Sequence, residues 1–459
     1  MNMMTAQNLK YKKNTMTYLI KPLSRVLIVA VLLSSQGFSQ SYFNALFMNQ
    51  YASTHSSDMA LAGSNTSSYS NPFNTFSNPA NQGKLKGVQL SSALNVLSIN
   101  ENRSYPAIDQ FGDRVTDNIY VVSRGLQNSF SGGVSWGSGS LGVSAASMPF
   151  STPAFFYKEE LRGSLYAPNI NRDPLIGYHH IEQSGIIQSS GASAGSSFGS
   201  WSVGLALRML HGIGLENQYG VSVLDSTDVS ALASASTLLK TESWGLENSP
   251  LIINFGVIKD FGLHLRVSAS FQSGYSLESK KQGALPFFEA TEDLPLIQWA
   301  SDTVGVIIDV PAQMELGLRM KPSNPLPTSI YITLAYQDWT QYGVTYSDSL
   351  AGEISAFDFP LQETFTIRGG IEHWVSDNVP FRAGLVWSES PIAGELSQSR
   401  FSAGSGWTSG PLQFDVAVQL FSVEYNSIDL FIPIGLTPNA TEKIRETQTS
   451  YSISVSYSL

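Results

Sequence analysis

Residues 412–420 alternate without a break: Leu412, Phe414, Val416, Val418 and Leu420 occupy one phase, and Gln413, Asp415 and Gln419, with Ala417, the other. Successive side chains of a strand point to opposite faces, so this spacing predicts a strand with one apolar and one polar face. The pattern recurs. Trp201, Val203, Leu205, Leu207 and Met209 oppose Ser202, Gly204, Ala206 and Arg208. Leu263, Leu265, Val267, Ala269 and Phe271 oppose His264, Arg266, Ser268 and Gln272. Met314, Leu316, Leu318 and Met320 oppose Gln313, Glu315, Gly317 and Arg319. A chain built this way must separate two environments at every strand. A soluble β-sandwich does so, but its outer face needs Lys and Glu, and only 14% of this chain is charged against roughly 25% in ordinary soluble domains. A run of about 18 apolar residues, which a transmembrane helix needs, is also missing. The pattern predicts an all-β fold: a transmembrane antiparallel β-barrel with apolar residues on lipid and polar ones in the lumen.

About fourteen strands are predicted, near 86–98, 130–136, 139–147, 187–198, 201–212, 250–258, 262–273, 311–320, 328–338, 364–374, 380–388, 400–408, 411–421 and 450–459. Short turns at Gly137-Ser138, Gly199-Ser200, Lys259-Asp260-Phe261, Ser376-Asp377-Asn378 and Ser409-Gly410 alternate with longer loops near 99–129, 149–186, 213–249, 274–310, 339–363 and 422–449. Such alternation suits a barrel with periplasmic turns and extracellular loops. In the last strand Tyr451, Ile453, Val455, Tyr457 and Leu459 alternate with serines. It reads as the terminal signal for the outer-membrane assembly machinery, with Leu459 where Phe is usual.

Residues 1–39 read as a signal peptide. Lys10, Lys12, Lys13, Lys21 and Arg25 form a basic region, Val26–Leu33 a short apolar one, and Gly37-Phe38-Ser39 a small-residue cleavage site before Gln40; Met16 is an alternative start. Its removal shifts the net charge from −10 to −15, which disfavours nucleic acid as a partner. The destination implied is the outer membrane, with its lipid as a partner. Residues 40–85 carry almost no charge and lack strand alternation, yet include Phe43, Leu46, Phe47, Met48 and Met59. They are expected to form a plug inside the barrel of residues 86–459. The alternative is that Asn78-Pro79 is only a turn before the first strand.

Signals for chemistry are sparse. There is no cysteine, and no nucleophile-elbow, zinc-protease or phosphate-loop spacing. The adjacent His179-His180 falls in an expected loop and does not suit joint metal binding. We therefore expect no enzyme, metal or cofactor. Arg208, His264, Arg266, Glu315, Arg319, Arg368, Glu372, Arg382 and Asp415 all fall on polar phases. They either brace the barrel as paired charges or attract an anionic headgroup.

Several segments carry a family resemblance. Ser57-Asp58-Met59-Ala60-Leu61-Ala62-Gly63 precedes Phe76-Ser77-Asn78-Pro79-Ala80. Pro311-Ala312-Gln313-Met314-Glu315-Leu316-Gly317 leads to Tyr336-Gln337-Asp338-Trp339. Phe365 through Glu372 runs into Val379-Pro380-Phe381-Arg382-Ala383-Gly384, then Ser390-Pro391 and Phe401 through Gly406. In this order they resemble the FadL/TodX family of outer-membrane transporters for long-chain fatty acids and other hydrophobic compounds. The resemblance implies a fourteen-stranded barrel with an N-terminal plug, a hydrophobic small-molecule ligand and sideways exit through a gap in the wall. It places Gly63, Asn78, Pro79 and Ala80 at the plug, and Phe155, Phe156, Phe287 and Phe288 are candidates for capture in the loops. Barrels of type IX secretion share the Asn-Pro-Ala segment, so a barrel for protein secretion or surface attachment is the alternative.

Overall fold

The computed structural model describes residues 54–64, 66–67, 71–108, 111, 113–151, 155–162, 175–223, 240–282, 303–348, 352–355, 361–392, 396–428 and 441–459. The predicted signal peptide, Phe43 through Met48, Phe287 and Phe288 lie outside them.

Fourteen wall strands follow one another in chain order, several in two pieces. They are β1 (Lys86–Ile108), β2 (Arg114–Ser138), β3 (Leu141–Ser151 and Phe155–Arg162), β4 (Leu175–Phe198), β5 (Trp201–Val223), β6 (Lys240–Leu246 and Leu251–Phe261) and β7 (Leu265–Gln272 and Tyr275–Gln282). Then come β8 (Thr303–Val310 and Gln313–Met320), β9 (Thr328–Asp338 and Gly343–Asp348), β10 (Gly352–Ser355 and Glu363–Ser376), β11 (Val379–Ser388), β12 (Gln398–Ser409), β13 (Leu412–Ile428) and β14 (Thr441–Ser458). Each pairs antiparallel with its neighbours. β14 returns to β1 from Gln89↔Ser458 to Ser104↔Lys443, so the sheet closes without an edge.

The alternation predicted for the wall is the one the structure uses. Leu205, Leu207, Met209, Met314, Leu316, Val416 and Leu420 are exposed on the outside, while Ser202, Ala206, Arg208, Arg319, Asp415 and Ala417 are buried on the inside. Trp136, Phe198, Trp201, Phe261, Phe381 and Trp407 crowd the short-turn end of that outer face, as an interfacial aromatic girdle does.

Four expectations change. Most of the long loops are continued strand: β1 and β2 stay paired from Lys86↔Ser138 out to Ile108↔Arg114. At about 3.3 Å per residue and a tilt near 45°, such a hairpin outreaches the roughly 25 Å apolar band, so its outer half needs no apolar stripe and looks like a loop in sequence. His264 sits in an exposed turn and donates from Nδ1 to the Lys321 carbonyl oxygen (2.8 Å), outside the lumen. His179 and His180 lie within β4, opposite Glu159 and Lys158, rather than in a loop. The first turn also moves, to Gly139-Ser140.

The described residues of 54–85 lie inside the barrel near the short-turn end. They form a helix, α1 (Ser56–Ala60), and two 3-10 turns, Pro72–Thr75 and Pro79–Lys84. Asn71 caps the first turn, its Oδ1 accepting from Phe73 N at 2.9 Å and Asn74 N at 3.1 Å; Asn78 caps the second through Ala80 N at 3.0 Å.

Candidate functional site

The inner segment is seated by small residues. Gly87, Gly137, Gly142, Gly195, Gly204 and Gly256 are register partners in succession across β1 to β6, forming one transverse row. Residues 78–85 run along this row. A Cβ on Gly195 would stand 2.6 Å from Pro79 O and 2.7 Å from Gly83 N; one on Gly204 would overlap Pro79 and Ala80, and one on Gly256 would overlap the Asn78 amide. Asn78 Nδ2 donates to Ala269 O at 3.3 Å. Farther round, Ser402 Oγ donates to Ala60 O at 3.2 Å and Ser56 Oγ bonds Ser452 Oγ at 2.8 Å. Asn78, Pro79 and Ala80 thus anchor the segment against the wall.

Charges tie the same region. Thr66 Oγ1 donates to Glu315 Oε2 (2.8 Å), whose other oxygen accepts from Arg368 (2.6 Å). Arg382 bridges Glu372 and Asp415, each at 2.7 Å. Lys84 pairs with Asp260, which also accepts from Arg266 at 2.7 Å. Burial, with the nearby Arg266 and Arg319 guanidiniums, lowers the Lys84 pKa. Arg319 is buried with its guanidinium 6.0 Å from the Tyr331 ring.

Above this segment lies a cavity of about 370 Å³. Its floor comes from the inner segment: Met59, Ala62, Gly63, Phe73 and Phe76. Ala62 (φ 57°) and Gly63 (φ 70°) both turn in the left-handed region just after α1, where Gly is the low-cost choice and Ala carries strain. One side of the cavity is polar, with Arg400, Gln398, Gln419, Glu446 and Gln448. Toward the other, Phe150 leads into a buried apolar cluster on the inner wall: Ile187, Leu210, Ile252, Tyr275, Leu277, Val306, Ile308 and Val310. The breaks in β7 at 273–274 and in β8 at 311–312 switch which residue parity faces inward; Tyr275 and Leu277 enter the lumen after the first, and Val310 precedes the second. Residue 149 begins another departure. Along β3 the in-out rhythm stops, and Met148, Pro149, Phe150 and Ser151 are all buried.

That change coincides with a gap in the wall. β2 and β3 pair from Gly137↔Gly142 to Gly132↔Ser147, and again only at Val121↔Glu159. Among the described residues, no pair joins 122–131 of β2 to β3. Pro149 has no N–H to give a ladder, and it lies where the strand leaves its neighbour. Beside the gap, Phe73 and Phe76 of the inner segment cluster with Ala146 and Met148 of β3. Beyond it, Tyr157 of the outer piece lies 4.7 Å under the Arg103 guanidinium, which pairs with Glu101 (2.6 Å) and Glu442.

Of the residues singled out in the sequence, Gly63, Arg208, Glu315 and Arg368 border the cavity; Arg266, Arg319, Glu372 and Arg382 lie elsewhere on the inner face. Phe155 and Phe156 open the outer piece of β3. The glycine row, Pro149 and the inward apolar cluster were not found in advance. Pro149 carried a signal, a proline ending an alternating run. The glycines carried one as well, because Gly is rare within strands unless another backbone comes close.

No family model and no curated protein matches this sequence. Solved structures do match the fold. A FadL homologue of Pseudomonas aeruginosa is 14% identical with a TM-score of 0.60, covering 92% of this chain and all of its own. The Pseudomonas putida toluene transporter TodX is 12% identical (TM-score 0.58), covering 90% of this chain and 99% of its own. The Ralstonia pickettii toluene transporter TbuX is 13% identical (TM-score 0.54), covering 90% and 100%.

Proposed function

The chain has the fold of the FadL/TodX barrels, and from that premise we propose that it carries hydrophobic small molecules passively across the outer membrane. Fatty acids, aromatic hydrocarbons or similar compounds enter the cavity from the loop side and leave sideways. Residues 54–85 act as a plug that closes the axial path to water. The ligand then passes through the β2–β3 opening into the lipid, and the short turns and both ends of the barrel face the periplasm. The closing strand β14 serves assembly by the outer-membrane machinery.

The observation that carries this reading is the β2–β3 gap. A hydrogen-bonded barrel has no reason to leave ten residues of β2 without a partner on their β3 side, because unsatisfied backbone groups facing lipid cost several kcal/mol each. The gap is lined by Phe73, Phe76 and Met148 and adjoins the cavity. An apolar ligand sliding through it stays dry, retaining about 0.8 kcal/mol per buried methylene that an aqueous pore would forfeit.

The native chain has no cysteine, so the gap can be bridged selectively. Cysteines replacing Phe130 and Pro149, on opposite sides, are joined with a bismaleimide in intact cells. Uptake of oleate and toluene should fall in the bridged double variant and persist in each singly labelled one. Undiminished uptake with the bridge in place removes sideways exit. Retention of the protein in a large secretion complex, with no uptake of either probe, would point to the secretion alternative.

A further inference from the structure

Four neighbouring strands are interrupted at one level of the wall. The breaks fall at 247–250 in β6, 273–274 in β7, 311–312 in β8 and 339–342 in β9. Register aligns them. Gln272 pairs with Gln313 and Tyr275 with Val310, so 273–274 face 311–312. Gln313↔Gln337 and Asp309↔Gly343 likewise set 310–312 against 338–342. Asn248 reaches the same level: its Nδ2 donates to Ser276 O at 3.0 Å, and its Oδ1 accepts from Glu278 N at 3.0 Å. The sequence supplies a cause at each break. Pro250 and Pro311 have no N–H to give a ladder. Gly274 lets two backbones come close, since a Cβ there would stand 2.9 Å from Val310 O. In β9, Asp338 caps the 3-10 turn Trp339–Gln341, accepting from Thr340 N at 3.2 Å. Together the breaks make a seam.

Beyond the seam the outer pieces of β6 to β10 keep a ladder of their own, through Ser279↔Leu246, Tyr275↔Val310, Ile308↔Val344 and Thr345↔Ser355. β5 holds one side of this patch, from Glu216↔Ser243 to Tyr219↔Lys240. On the other side, the Gly352–Ser355 piece of β10 pairs only with β9 among the described residues. The inner face of the patch is apolar. Tyr275, Leu277 and Ile308 are buried in one cluster with Phe150, Leu210 and Ile252, which lie outside the patch. The Tyr275 and Phe150 rings meet edge to face, their centres 5.8 Å apart.

An unbroken ladder resists bending because a bend breaks hydrogen bonds. Where adjacent strands are interrupted at one level, only the backbone dihedrals of a few residues must change. The apolar contact then becomes the main restraint. Parting it in water exposes both faces, at a cost that grows with their area. An apolar compound entering between them keeps them covered, and a polar solute does not.

We propose that the outer pieces of β6 to β9 form a hinged flap over the apolar end of the cavity, closed by its own cluster and parted by apolar compounds. The inference rests on the transport reading and adds an outer gate to it.

The test is pulsed electron resonance on the full barrel in lipid nanodiscs, with spin labels on Glu278→Cys of the flap and Asn426→Cys of β13, both exposed positions. Two distances should be populated, and oleate should enrich the longer. Val122→Cys with Asn426→Cys lies wholly off the flap and should give one distance that oleate leaves in place. A lock supplies the second readout. Cysteines replacing Phe150 and Tyr275 are joined in cells by a short bis-thiosulfonate; oleate uptake should fall to that of cells lacking the barrel and return on reduction. If this double variant does not assemble, the distances decide alone. A flap distance as narrow as the control and unmoved by oleate overturns the hinge, as does uptake that continues with the lock in place. The two readings fail separately. Uptake by the native barrel with a single flap distance leaves transport standing and removes the flap. Two distances without native uptake remove transport and keep the hinge.

Discussion

Replacing Gly195 with valine tests the seating of the inner segment directly. A Cβ at this position stands 2.6 Å from Pro79 O and 2.7 Å from Gly83 N, where ordinary contact begins at 3.4 Å. The backbone of the second 3-10 turn must therefore move by about 0.8 Å for the Cβ alone, and farther for the two methyls. It has little room, since Asn78 is held by Ala269 O and packed on Gly256. Overpacking of this kind costs about 1–3 kcal/mol, or roughly tenfold to a hundredfold in the population of the unseated segment at 1.4 kcal/mol per factor of ten. The wall does not share the cost. Gly195 is not in the left-handed region, and valine in a strand is favoured over glycine by about 0.5–1 kcal/mol. Heat-modifiable gel migration should show normal barrel assembly, while conductance in planar bilayers and entry of a small polar β-lactam into cells should rise. Gly369→Val is the control, because a Cβ there meets nothing within 4 Å. An assembled Gly195→Val barrel with native conductance would refute both the close seating and the plug.

Two further outcomes are expected. Arg at Leu205 or Val416, both on the outer face, should lower barrel stability by about 2–4 kcal/mol in a urea-refolding titration, whereas Arg at Gln413 should be better tolerated; equal effects would mean the facing is misassigned. Arg382→Met leaves Glu372 and Asp415 buried and facing each other, and should cost about 3–5 kcal/mol, largely recovered when both carboxylates are also made amides.

The arrangement also explains why so many inner residues are serine or glycine. Thr75 Oγ1 meets Ser144 and Ser193, and His55 Nε2 meets Ser456 at 3.3 Å. Short side chains let the inner segment lie close to the wall while giving its polar groups partners.

The period-2 pattern by itself determined the wall. Each strand separates lipid from lumen, and that difference in solvent is written locally, residue by residue, so strand number, order and the outward face of β5, β8 and β13 could be read from the sequence. The N-terminal segment was legible as something other than wall for the same reason: it lacks the pattern. What alternation could not decide is which phase faces in when both are apolar. Ile252 and Ile253 are adjacent, yet the first is buried inside and the second exposed outside; in β8, Val306 and Ile308 are buried while Ile307 between them is half-buried. Only the breaks in the strands, which shift parity, and the curvature of the closed sheet settle it. The candidate site is likewise a product of closure. The glycine row joins residues from 87 to 256 in the sequence, and Phe76, Phe150, Arg208 and Gln272 meet only after the inner segment has been laid across strands that fold later in the chain. Alternation records each residue's solvent, a local property; it carries no record of which distant backbone comes to rest against it.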